Sequence, residues 1–83
     1  MPEIKLYKHV TNDLWPPAWV IYLPKRNMLT VFYYDISHFV IYLNREPLED
    51  AIECSYLEFL VVLGMTEKDV ADFIRDKMGV IDD

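Results

Sequence analysis

A chain of 83 residues leaves room for one hydrophobic core and little material for a deep cleft, which excludes a two-domain architecture. Its near-average share of apolar residues excludes a disordered chain. A formal net charge of −6, from 8 bases and 14 acids, has the wrong sign for phosphate backbones or anionic lipid, so neither nucleic acid nor a membrane is expected as a direct partner.

In chain order, residues 4–9, 18–23, 28–34 and 38–43 are runs of about six rich in Val, Ile, Tyr and Phe, and they predict β-strands. The second run follows Trp15-Pro16-Pro17, where two prolines force an extended approach and forbid helix. It is apolar at every position and is expected to have both faces at least partly covered. Pro24-Lys25-Arg26-Asn27 then reads as a four-residue hairpin loop.

Asp35-Ile36-Ser37 has the length of a tight antiparallel connection, with Asp and Ser able to bond the turn backbone. With Tyr34 opposite His38, the register pairs Tyr33 with Phe39, Val31 with Ile41 and Leu29 with Leu43 on an apolar face expected to be core. The outer face then holds Phe32, Tyr34, His38, Val40 and Tyr42, and a slip of one residue exchanges the two faces.

The pattern changes near Asn44-Arg45-Glu46-Pro47. Beyond it, Leu48, Ile52, Ser55, Phe59 and Leu63 recur at helical spacing, with Glu46, Glu49, Asp50 and Glu53 on the other side. From Leu57 onward this first helix is apolar nearly all round, which predicts that its second half is sandwiched between two layers. Gly64 is placed to end it, and Thr66 with Asp69 to cap a second helix. Met65 and Val70 are spaced as a hydrophobic staple, and Val70, Phe73, Ile74 and Met78 form the second apolar stripe. Gly79 followed by Val80 is a glycine stop. The expectation is a single α+β domain over residues 1–83: an antiparallel sheet of three or four strands within 1–45, packed against a C-terminal two-helix hairpin within 46–83, in the order ββββαα.

Catalytic chemistry is not expected. His9 and His38 are far apart, and Asp35 with His38 across a turn offers two candidate metal ligands, too few for a site. Cys54, the single cysteine, permits neither an internal disulfide nor a cysteine-based zinc site and fits a reducing compartment. The acids around it, Asp50, Glu53 and Glu58, raise a thiol pKa and make it a poor nucleophile. No phosphate loop, nucleophile elbow or His-Glu-x-x-His pattern occurs, so no enzyme activity, cofactor or metal is expected. The apolar runs fall short of a membrane span and the N-terminus lacks a leader pattern, so the protein is expected in the cytoplasm, the host's if it is viral.

Two surfaces remain. Residues 1–45 carry five bases against three acids, whereas residues 46–83 carry eleven acids against three bases. An acidic surface of Glu46, Glu49, Asp50 and Glu53 with Asp69, Asp72 and Asp76 is expected to meet a basic surface of another protein, such as one that binds nucleic acid, by imitating its charge. That is inhibitor behaviour, as in small viral proteins that block host defence enzymes. The alternative is a homodimer or larger homo-oligomer using the aromatic sheet face, Phe32, Tyr34, His38, Val40 and Tyr42 with Trp15 and Trp19, as its interface.

Overall fold

The computed structural model describes residues 2–9 and 18–81. It has an α+β fold: strands β1 (Lys5–His9), β2 (Ala18–Leu23), β3 (Met28–Phe32), β4 (Phe39–Leu43) and β5 (Ile52–Glu53) are followed by helices α1 (Tyr56–Leu63) and α2 (Glu67–Asp76). All neighbouring strands pair antiparallel, in the order β4-β3-β2-β1-β5. The fifth strand exceeds the expected three or four, and Trp15 lies outside the described residues.

Local chemistry sets the turns. A single 3-10 turn, Pro24–Arg26, joins β2 to β3 and ends at Asn27, whose left-handed φ of 50° lets its N–H close on the Pro24 carbonyl. At the other hairpin tip, one Asp35 carboxylate oxygen accepts from the Ser37 N–H and hydroxyl and meets His38 Nδ1 at 2.8 Å. The Asp35 carbonyl also accepts the His38 N–H, and Tyr33 N–H donates to the His38 carbonyl. Asp35 thus builds a turn one residue longer than the spacing suggested.

That one residue exchanges the faces of β3 and leaves those of β4 as expected, with Phe39, Ile41 and Leu43 on the helix side. The register pairs Phe32 with Phe39, Val31 with Val40, Thr30 with Ile41 and Leu29 with Tyr42, not Tyr33 with Phe39. Leu6, Trp19, Ile21, Leu23, Met28, Thr30 and Phe32 therefore point at the helices and are buried. Phe32 and Trp19, expected on an outer face, are core residues: Phe32 has no exposure, and its ring lies 5.1 Å from Phe73 and 6.3 Å from Phe59. The Trp19 ring meets Phe59 edge-on at 6.2 Å.

The connection from β4 to β5 must carry the chain across the whole sheet, about 19 Å for four strand spacings. Residues 44–51 do this as a strap without regular structure that turns at Leu48–Ala51, where the Ala51 N–H donates to the Leu48 carbonyl; the span lies within the roughly 26 Å that eight residues can reach. The Arg45 N–H donates to the Asn27 carbonyl at one end, and Asp50 meets His9 Nε2 at 2.9 Å at the other. The strap runs over the sheet face away from the helices, since its residues 45–48 and 51 line one cavity together with Val20, Leu29 and Val31. The helix expected to open near Glu46 therefore begins only at Tyr56. Pro47 favours extended backbone before it, and pairing of Ile52 and Glu53 with β1 competes successfully against a helical spacing of apolar residues.

Ser55 caps α1 by accepting from the Glu58 N–H, and Gly64 ends it at φ 66°. Thr66 and Asp69 form a reciprocal capping box on α2. Phe59, Leu63, Met65, Val70, Phe73, Ile74, Met78 and Val80 complete the core against the sheet. The second half of α1 is not sandwiched: Leu57 and Val61 are each 71% exposed and Val62 is 51% exposed.

Candidate functional site

The acids expected to share one helical surface are divided by the fold. Glu46, Glu49 and Asp50 lie on the strap and Glu53 on the edge strand β5, while Asp69, Asp72 and Asp76 lie on α2. Asp50 has a structural task, anchoring the strap to His9. The strap acids and the α2 acids are thus two separate features.

On α2 the spacing i, i+3, i+7 sets Asp69, Asp72 and Asp76 in a row along one side. That row walls a groove of about 290 Å3 whose other lining residues are Ile36, Phe39, Met65, Phe73 and Lys77. The Phe39 and Phe73 rings, edge to face at 4.9 Å, form an apolar floor between β4 and the helix. Asp69 does double duty, since one of its oxygens also accepts the Thr66 N–H. Lys68 bonds Asp72 at 2.8 Å, and Arg75 reaches Asp72 at 3.0 Å and Asp76 at 2.9 Å. Lys68 holds the Asp72 carboxyl below its ordinary pKa, and Arg75 does the same for Asp76. Asp72 and Asp76 are therefore ionised at neutral pH, and such solvent-exposed pairs contribute little to stability.

The aromatic residues expected to form one dimer face are also divided. Trp19 and Phe32 are core, Tyr34 and His38 pack edge-on at the hairpin tip, and Val40 and Tyr42 lie on the face crossed by the strap. Arg45 stacks over the Tyr42 ring at 4.4 Å. Strap and sheet enclose a cavity of about 280 Å3 lined chiefly by Val20, Leu29, Val31, Tyr33, Tyr42 and Leu48. A hydrogen bond with Tyr42 raises the Tyr33 phenol above its usual pKa.

Sequence reasoning missed a third feature, the outward side of α1. Leu57 and Val61 form one i, i+4 stripe and Glu58 and Val62 the next. Lys8, opposite Ile52 in the ladder, reaches Glu58 at 3.9 Å, which sets exposed Ile52 beside this side of the helix. The signal in the sequence was Ser55-x-x-Glu58, a helix start that leaves these residues without a second layer.

Asp35 and His38 are occupied by the hairpin turn, and no group of three potential metal ligands exists among the described residues. Cys54 is half-buried; burial, and then Glu58, pushes its thiol pKa up. No described helix is long and apolar enough to cross a membrane. No protein-family model, curated protein or solved structure matches the chain.

Proposed function

We propose that this protein is a non-catalytic acidic binding module that docks the α2 groove on a basic surface of a larger protein and occludes it. The observation that carries this reading is the meeting of an apolar floor, Phe39 and Phe73, with a wall of three aspartates, Asp69, Asp72 and Asp76. Arg and Lys suit such a groove, their stems lying on the rings while the cationic heads reach the carboxylates. Lys68 and Arg75 are exposed competitors for those carboxylates, and a partner's guanidinium displaces them at small cost. A protein whose basic groove holds nucleic acid presents that chemistry, and the attraction speeds association. The setting is the cytoplasm, the host's if the protein is viral.

The test compares wild type with a triple Asp69→Asn, Asp72→Asn, Asp76→Asn variant as immobilised bait for a basic protein partner, eluted in a salt gradient. Asn at position 69 keeps a side-chain oxygen for the Thr66 cap. Retention is expected to fall in the triple variant and to survive neutralisation of Glu46, Glu49 and Glu53. Equal retention by wild type and triple variant refutes the reading.

A second reading is a homo-oligomer. It is favoured by the exposed Leu57, Val61 and Val62 of α1 rather than by the aromatic sheet face, part of which the strap already covers. Light scattering on wild type and on Leu57→Lys, Val61→Glu decides it: a dimer that the substitutions dissociate supports this second reading.

A further inference from the structure

β4 is an edge strand whose sequence, Phe39-Val40-Ile41-Tyr42-Leu43, contains no charge, no proline and no glycine. Natural edges are ordinarily blunted by such residues, so a five-residue edge without them is suited to pairing. The phase of the ladder shows which backbone groups are offered. Tyr33 N–H donates to the His38 carbonyl, so by alternation Val40 and Tyr42 turn their backbone groups inward to β3. Those of Phe39, Ile41 and Leu43 then point outward, and no described strand pairs with them.

This edge borders the acid-walled groove, because Phe39 belongs to both. A strand added along β4 places every second side chain on the helix side of the sheet, among Phe39, Asp69, Asp72 and Asp76. Its alternate side chains fall on the opposite face beside Val40, which is 42% exposed, and Tyr42. Charge then selects the occupant. A second copy of β4 brings no cation to the groove and sets two aspartate rows against each other, whereas an extended basic segment neutralises the row.

The geometry points to β-strand addition: β4 captures an extended segment of a partner protein in which Arg or Lys alternates with apolar residues. The cationic side chains enter the α2 groove and the backbone pairs with Phe39, Ile41 and Leu43. This inference rests on the reading of the α2 groove as the binding surface and adds the mode of docking.

The probe is a fluorescein-labelled Arg-Val-Arg-Val-Arg-Val peptide, read by anisotropy, beside the same peptide N-methylated at alternate amides in either phase. N-methylation leaves charge and side chains unchanged but removes ladder donors. The unmodified peptide is expected to bind, and the phase that blocks pairing to weaken it by roughly tenfold or more. Ile41→Pro in the protein should weaken it similarly, because an outward N–H is lost where an edge tolerates proline. Urea unfolding of that variant checks that it folds. Equal binding by both methylated peptides, with dependence on Asp72 and Asp76 retained, overturns strand addition while leaving the acidic groove standing. No binding by any of the peptides overturns both. A wild-type dimer that Ile41→Pro dissociates assigns the edge to a second copy and overturns the inference.

Discussion

The one-residue shift at the β3–β4 tip decides which residues form the core, and paired alanine substitutions measure it. Phe32 has no exposure and packs against Phe59 and Phe73, whereas Tyr33, its neighbour in sequence, is 40% exposed on the opposite face. Truncating a fully buried Phe costs about 3–5 kcal/mol, the lost transfer energy plus the cavity left behind. A chain of 83 residues has a total stability of roughly 4–12 kcal/mol. Phe32→Ala should therefore remove a quarter or more of it and lower Tm by roughly 12–40 °C, since a domain of this size loses about 4–8 °C per kcal/mol. Tyr33→Ala loses a partly solvated ring and should cost under about 1.5 kcal/mol. Urea and thermal unfolding followed by circular dichroism read both. If Tyr33→Ala proves as costly as Phe32→Ala, or Phe32→Ala costs less than about 1 kcal/mol, the register is that of the three-residue turn and the core assignment fails.

Three further outcomes follow from particular groups. Bonds from Ser37 and His38 hold the Asp35 carboxyl at about 2, below the ordinary value near 4 for an unfolded chain. Its contribution to the hairpin tip is thus complete above about pH 4 and lost as pH falls through 2. A carbon-13 carboxyl titration should find that low midpoint and Ser37→Ala should raise it; an ordinary midpoint in wild type contradicts the turn. Thr30 is fully buried and its hydroxyl has no hydrogen-bond partner among the described residues. Thr30→Val keeps the branched shape and should stabilise by about 1 kcal/mol in urea unfolding, whereas a loss of that size would reveal a partner for the hydroxyl. The raised thiol of Cys54 should react with a disulfide reagent at neutral pH roughly tenfold more slowly than in the urea-unfolded chain, and comparable rates would contradict its burial.

What the sequence disclosed, it disclosed through local chemistry. Thr66 with Asp69, Gly64, and Pro24 at the 3-10 turn act within a few residues, so the second helix and the antiparallel strands could be read directly. The misses share a different cause. Residues 46–55 have helical spacing, yet the chain must cross from one sheet edge to the other, and a partner strand about 45 residues away takes up Ile52 and Glu53. The extra residue in the Asp35 turn comes from several hydrogen bonds to one carboxylate, and it moved Phe32 from an outer face into the core. Of the candidate site, the α2 aspartate row was visible as a helical spacing. Its apolar floor was not, because Phe39 and Phe73 meet only through the tertiary fold.

The central claim is that the groove between α2 and β4 receives a basic segment of another protein. The most direct test is a map of backbone amide shifts in the uniformly labelled protein during titration with the Arg-Val-Arg-Val-Arg-Val peptide. Shifts concentrated in Phe39–Leu43 and Glu67–Asp76, and abolished by neutralising Asp69, Asp72 and Asp76, are the expected result. Shifts confined to Tyr56–Leu63, or none at peptide concentrations in the millimolar range, would contradict it.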